Sequence, residues 1–137
     1  MASGSDDKSV TIWEKRENAR YMHSSEKVIR WSQKAPLLGH SGDVLDLAWT
    51  NSSKFVVSVG MDGRIFIWNV ERRVYVHFLD FHEKFVQGVA IDPTFEHIVS
   101  CSNDRSCRVW KAVKSRKQIS FFAKRVLKRF NFNKKED

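Results

Sequence analysis

The 137-residue chain has only two cysteines, Cys101 and Cys107, which is too few for a disulfide framework. Neither falls in a CxxC or Cys/His ligand pattern, so small buried thiols are expected at both positions. Long apolar runs are missing as well, since nothing approaches the roughly 18 consecutive apolar residues of a membrane helix. The N-terminus, MASGSDDKSV, lacks the basic start and apolar centre of a secretory signal. The expectation is an intracellular chain with no membrane segment. Ligand signatures are equally scarce. His23, His77 and His97 stand at no metal-ligand spacing from an acidic residue or a cysteine, which leaves them as ordinary surface or half-buried residues. No cofactor or metal is expected.

At 42% hydrophobic and 12% aromatic, the chain is too apolar for a disordered segment and long enough for one ordinary domain. Its formal net charge of +8 sits at one end. Residues 1–110 carry 14 Lys/Arg and 14 Asp/Glu, whereas residues 111–137 carry 10 and 2. A neutral body thus bears a basic tail, with Lys124, Arg125, Lys128 and Arg129 as a candidate contact patch. Such a block could touch nucleic-acid phosphate, an acidic partner or an import receptor, all drawn by the same Coulomb attraction. It could equally be a solvated connection between strands.

An internal repeat says most. His40, Val44, Ser58, Asp62 and Trp68 recur 42 residues later as His82, Val86, Ser100, Asp104 and Trp110. A partial third copy opens the chain, where Ser3, Ser5, Asp7 and Trp13 keep the mutual spacing of Ser58, Gly60, Asp62 and Trp68. Each full unit holds four short apolar segments of period two. In the first these are Val44 to Trp49, Phe55 to Val57, Ile65 to Trp68 and Val74 to Leu79. Turn residues separate them at Asn51-Ser52-Ser53, Met61-Asp62-Gly63 and Asn69 to Arg73. The second unit repeats the scheme with Val89 to Ile91, Ile98 to Ser100, Cys107 to Trp110 and Gln118 to Phe121. Four antiparallel strands in about 42 residues, with a His near the start and a Trp ending the third strand, mark a WD-repeat propeller blade.

The polar residues fit that unit. A lone buried His, Ser, Asp or Trp carries groups that cost roughly 1–3 kcal/mol each when left unsatisfied, but together the four can satisfy one another. Two structural tetrads are expected: His40, Ser58, Asp62 and Trp68, then His82, Ser100, Asp104 and Trp110. A Ser/His/Asp catalytic triad is the competing reading. Against it, the trio occurs twice, each trio comes with a Trp, and no Gly-x-Ser-x-Gly elbow accompanies either serine. The expectation is that the chain is not an enzyme.

The expected fold is therefore all-β, a partial WD40 β-propeller of about two full four-stranded blades plus parts of two flanking blades. Residues 1–36 supply the end of a blade and a long loop, with Val28 to Trp31 as its outer strand and Trp31 packed. Full blades follow at 37–80 and 81–122. Residues 123–137 hold a basic stretch and the first strand of a next blade, carried by Leu127, Phe130 and Phe132. A short basic helix through Phe122, Val126 and Phe130 is the alternative there. Since closure takes about 4 to 8 blades, the chain is expected to be a slice of a longer protein.

Three stretches, ASGSDDKSVTIW at 2–13, LLGHSGDVLDLAW at 37–49 and HEKFVQGVAIDP at 82–93, resemble in order segments of the middle WD-repeat subunit of chromatin assembly factor 1. DRSCRVWKAVKSRKQISF at 104–121 is similar too. The HIRA-type histone regulators share the segments His40 to Val44 and Asp104 to Ser106 and are the alternative family. The resemblance implies a nuclear, non-catalytic subunit of a histone chaperone that assembles H3 and H4 onto DNA in replication or repair. It implies the large subunit of that complex and histones H3–H4 as partners, and little affinity for naked DNA; weak nucleic-acid contact through the basic tail is a separate expectation from its charge. Two positions depart from the pattern: Ile91 replaces a Trp, and Phe81 stands where a Gly usually precedes the His.

Overall fold

A computed structural model describes residues 1–17, 29–114 and 119–127 of the chain. Among these residues are twelve strands in three four-stranded antiparallel sheets, one per repeat. The first sheet contains β1 (Ala2–Gly4), β2 (Ser9–Glu17), β3 (Ile29–Gln33) and β4 (Leu37–Leu38). β3 and β4 lie in line along β2, pairing with Trp13–Glu17 and with Ser9–Val10. They form one outer strand interrupted before Pro36, whose ring removes a backbone donor. The second sheet is a plain meander of β5 (Val44–Trp49), β6 (Phe55–Gly60), β7 (Ile65–Asn69) and β8 (Val74–Leu79). The third runs through β9 (Val86–Ile91), β10 (His97–Ser102), β11 (Cys107–Lys114) and β12 (Ile119–Leu127).

The repeat extends to irregularities no composition would suggest. The inner strands of the second and third sheets bulge at equivalent places, skipping Leu45 in one and Gln87 in the other. The outer hairpins bulge opposite Trp68 and Trp110, at Val76 and Lys124. The turn before the strand that carries the repeat's Trp (β2, β7 and β11) is the same in all three sheets. Lys8, Gly63 and Arg105 occupy its left-handed position at φ 71°, 76° and 65°. Each closes a bond to the residue three back, Lys8 to Ser5, Gly63 to Gly60 and Arg105 to Ser102. Only Gly63 has the residue type this conformation favours.

The core lies between sheets. Val57, Val59, Ile65, Ile67 and Leu79 meet Val86, Ile98, Trp110 and Ala112 across the second interface. Val56, Phe66 and Trp68 face the other way, onto Val10, Ile12 and Leu37 of the first sheet. The second sheet is thus buried on both faces, which is why β6 and β7 read as nearly continuous apolar runs. Phe95, in the left-handed region at φ 56°, stacks on Phe55 at 5.4 Å across the same interface.

Three expectations change. The stretch expected as a long loop is in part a ladder, since Trp13 to Glu17 pair with Ile29 to Gln33. Trp31 does lie on the outer strand, but about half exposed, with Lys15 as its backbone partner. Phe122 to Leu127 are strand and continue β12 against β11, so Leu127 belongs to the third sheet. Phe130 and Phe132 lie outside the described residues.

Candidate functional site

Both tetrads come together, each spanning one sheet and the connection that enters it. The His40 Nδ1–H donates to Asp62 Oδ2 at 2.9 Å, and Ser58 Oγ lies 2.7 Å from His40 Nε2. The Trp68 indole N–H donates to the same hydroxyl oxygen at 2.8 Å. In the third sheet His82 Nδ1 meets Asp104 Oδ2 at 2.8 Å, His82 Nε2 meets Ser100 Oγ at 2.8 Å, and Trp110 Nε1 donates to Ser100 Oγ at 2.9 Å. The chemistry of the chain assigns the protons. An ionised carboxylate only accepts, so each Nδ1 carries a proton; in the neutral ring Nε2 has none and takes the serine O–H, whose oxygen accepts from the indole N–H. Nε2 is then the acceptor, and the ring proton sits on Nδ1, facing the carboxylate.

The carboxylates also tie the turn to the incoming connection. Asp62 accepts the Ser41 and Arg64 backbone N–H groups at 2.9 and 3.0 Å. Asp104 accepts those of Glu83 and Ser106, and the Ser106 hydroxyl as well. Burial pushes the Asp62 carboxyl up, but bonds from His40, Ser41 and Arg64 outweigh it and leave the group below its ordinary value. Asp104 is likewise low, burial being overcome by Ser106 and His82. Burial holds the His82 imidazole below its ordinary value, only partly offset by Asp104, which favours the neutral ring that the proton assignment requires.

The partial first copy keeps two limbs of the network. Trp13 Nε1 donates to Ser3 Oγ at 2.8 Å, and Asp7 accepts the Ser9 backbone N–H at 2.9 Å and the Ser9 hydroxyl at 2.6 Å. The position equivalent to His40 would precede residue 1.

Distances and proton positions in the tetrads match what a Ser/His/Asp triad would show. What differs is access. Ser58 and Ser100 are fully buried, and each hydroxyl is occupied by an indole donor on one side and an imidazole on the other. A cleft of about 310 Å³ does open between the first and second sheets, lined by Trp13, Trp49, Lys34 and Arg73 among others, away from both serines.

Of the other singled-out residues, Lys124 and Arg125 fall on β12, where the structure describes the backbone alone. Lys128, Arg129 and His23 lie outside the described residues. His77 and His97 are half-buried; His97 Nδ1 lies 3.4 Å from Asp92 Oδ2. Cys101 and Cys107 are corrected. Rather than buried thiols, Cys101 is exposed and Cys107 half-buried. The equivalent positions one repeat earlier, Val59 and Ile65, are buried because the third sheet covers them.

Sequence reasoning missed two features. Asp46, on the inner strand of the second sheet, accepts the Val89 N–H at 2.9 Å and so joins neighbouring inner strands. Its equivalent in the third sheet is Gly88, so the repeat carried no signal for it. Leu38, Met61 and Phe81 are exposed apolar residues at the end of the sheets where the tetrads sit. Phe81 fills the place of a Gly and lays its ring against Trp110, centroids 5.7 Å apart.

The whole chain, residues 1–137, matches the CAF1B/HIR1 beta-propeller domain. Protein hir1 of Schizosaccharomyces pombe is 34% identical over 116 residues, covering 81% of this chain and 12% of that protein. The chromatin assembly factor 1 subunit FAS2 homolog of Oryza sativa subsp. japonica is 36% identical over 110 residues, covering 80% of this chain and 20% of that protein. Protein HIR1 of Kluyveromyces lactis is 32% identical over 130 residues, covering 93% of this chain and 15% of that protein. The chain thus spans a fifth or less of the length of these relatives.

Proposed function

The chain belongs to the CAF1B/HIR1 β-propeller domain family, and on that premise we propose that it is a non-catalytic WD-repeat scaffold of a nuclear histone-chaperone complex. Its task in this reading is to help assemble H3 and H4 onto DNA during replication or repair. The supporting observation is the match to that family along the entire chain, together with the chromatin assembly factor 1 subunit among its relatives. The proposed partners are the large subunit of the chromatin assembly complex and histones H3–H4, met directly or through that subunit. A second reading, a HIR-type regulator, is favoured by the HIR1 proteins of similar identity.

The non-catalytic part of the proposal rests on the tetrads, whose hydroxyls and imidazoles are consumed in holding sheets to their connections. A scaffold works through surface. Leu38, Met61 and Phe81, held at one end of the sheets by the tetrad turns, are the apolar contacts such a partner would cover.

Gel filtration of the chain co-expressed with the large assembly-factor subunit, and separately with the HIR-complex subunits, tests both readings. Co-elution with the first supports the assembly-factor role, and co-elution only with the second supports the HIR-type role. Failure with both, and with H3–H4, overturns the proposal. Replacing Leu38 and Met61 by Ser is expected to weaken binding by about tenfold or more, with unfolding unchanged.

A further inference from the structure

Cys101 on β10 and Cys107 on β11 are register partners across the hairpin that carries Asp104. Beside them the Ser102 N–H donates to the Ser106 carbonyl at 3.0 Å. In an antiparallel ladder, bonded and non-bonded pairs alternate, so the cysteines form a non-hydrogen-bonded pair, with Cα atoms about 4.5 Å apart. That separation falls inside the range a disulfide spans. The two sulfur atoms are already 2.7 Å apart, and Cys101 is exposed. Neither thiol takes part in the tetrads or meets a metal-ligand set among the described residues.

We propose that Cys101 and Cys107 are a site of reversible thiol modification, which reacts with a low-molecular-weight disulfide such as oxidised glutathione and closes to a cross-strand bond. Cys101, the exposed sulfur, gives up its proton and attacks one sulfur of glutathione disulfide. A Cys101–glutathione bond forms, the glutathione S–S bond breaks, and one glutathione thiolate leaves. Burial, with the neighbouring Cys101 and Asp104 adding to it, pushes the Cys107 thiol up to about 11, so Cys107 keeps its proton until the second step. In that step its proton passes to the departed thiolate, and its sulfur attacks Cys101 Sγ and expels the second glutathione. Two protein thiols lose two electrons and two protons, and one glutathione disulfide becomes two glutathiones.

The bond would staple the turn that carries Asp104 to His82. It would also sit on the third-sheet face that corresponds to the face by which the second sheet receives the third, as Val59 and Ile65 show at the equivalent positions.

The test is equilibration of the whole chain in glutathione buffers of graded ratio, then alkylation of free thiols and mass spectrometry after trypsin. Cleavage at Arg105 separates the cysteines, so the expected product is residues 85–105 joined to residues 106–108 through sulfur. Because the sulfurs are positioned by the fold, the folded chain should reach half-oxidation at a glutathione disulfide level about tenfold or more below that of the urea-unfolded chain. Cys107→Ser should instead accumulate glutathione on Cys101. Alkylation of both cysteines in every buffer would overturn the proposal, as would a stable glutathione adduct on the unaltered chain. Equal midpoints for folded and unfolded chains would also overturn it.

Discussion

Ser100→Ala removes one oxygen from the centre of the third-sheet network. Ser100 and Trp110 are fully buried and His82 nearly so, so water cannot replace the lost hydroxyl. The Trp110 N–H loses its acceptor at 2.9 Å and His82 Nε2 loses its donor at 2.8 Å. A buried unsatisfied polar group costs about 1–3 kcal/mol, and two such groups, with some relaxation, give about 2–4 kcal/mol. Small domains hold only about 5–15 kcal/mol in total. Urea unfolding read by tryptophan fluorescence should therefore show the midpoint lowered by about 1 M or more, given slopes of about 1–3 kcal/mol per molar. Adding Trp110→Phe to Ser100→Ala removes the orphaned donor, so the double variant should lose clearly less than the sum of the singles. A loss below about 0.5 kcal/mol for Ser100→Ala, or simple additivity, would refute the idea that the hydroxyl links the two rings.

The remaining predictions concern acid, turns and the seam between sheets. His82, Asp62 and Asp104 all sit below their ordinary values in the folded chain, so unfolding takes up protons and acid favours it. A pH series of melting curves should be flat between the ordinary imidazole value of 6.5 and the ordinary thiol value of 9.0. It should decline below the first, fall further below the carboxylate value of 3.8, and decline above the second as the raised Cys107 thiol resists ionising in the fold. Arg105→Gly should raise stability by about 0.5–1 kcal/mol, because the left-handed turn at φ 65° strains a side chain there. Gly63→Ala should lower it, since a Cβ would also press within 3.2 Å of the Lys84 carbonyl; denaturant midpoints report both. Asp46→Ala should cost about 1–2 kcal/mol and speed hydrogen exchange at the Val89 amide, which loses its acceptor in the neighbouring sheet.

The architecture was legible because the repeat writes it twice. Three matched polar positions, a Val and a Trp at one offset fix where the second, third and fourth strands must lie relative to the tetrad. The period-two pattern supplies the strands themselves. Faces were harder to read. Period two suggests one wet side, yet β6 and β7 are buried on both because sheets stack on either side. The same stacking misled the reading of Cys101 and Cys107, whose burial depends on a neighbouring sheet rather than on residue type. Asp46 was invisible because its role depends on the approach of two inner strands, which no single repeat encodes. The stretch from Glu14 to Pro36 reads as polar loop, but exposed polar residues on a ladder, such as Glu14 to Arg16 against Arg30 to Ser32, look the same in sequence.

The most direct test of the central claim is the tautomer of His40 and His82, read from two-bond proton–nitrogen NMR spectra of the imidazoles at neutral pH. Both rings are expected to be protonated on Nδ1 and unprotonated on Nε2, with slowly exchanging indole protons on Trp68 and Trp110. A ring protonated on Nε2, or indole protons exchanging as freely as those of an exposed tryptophan, would contradict the claim.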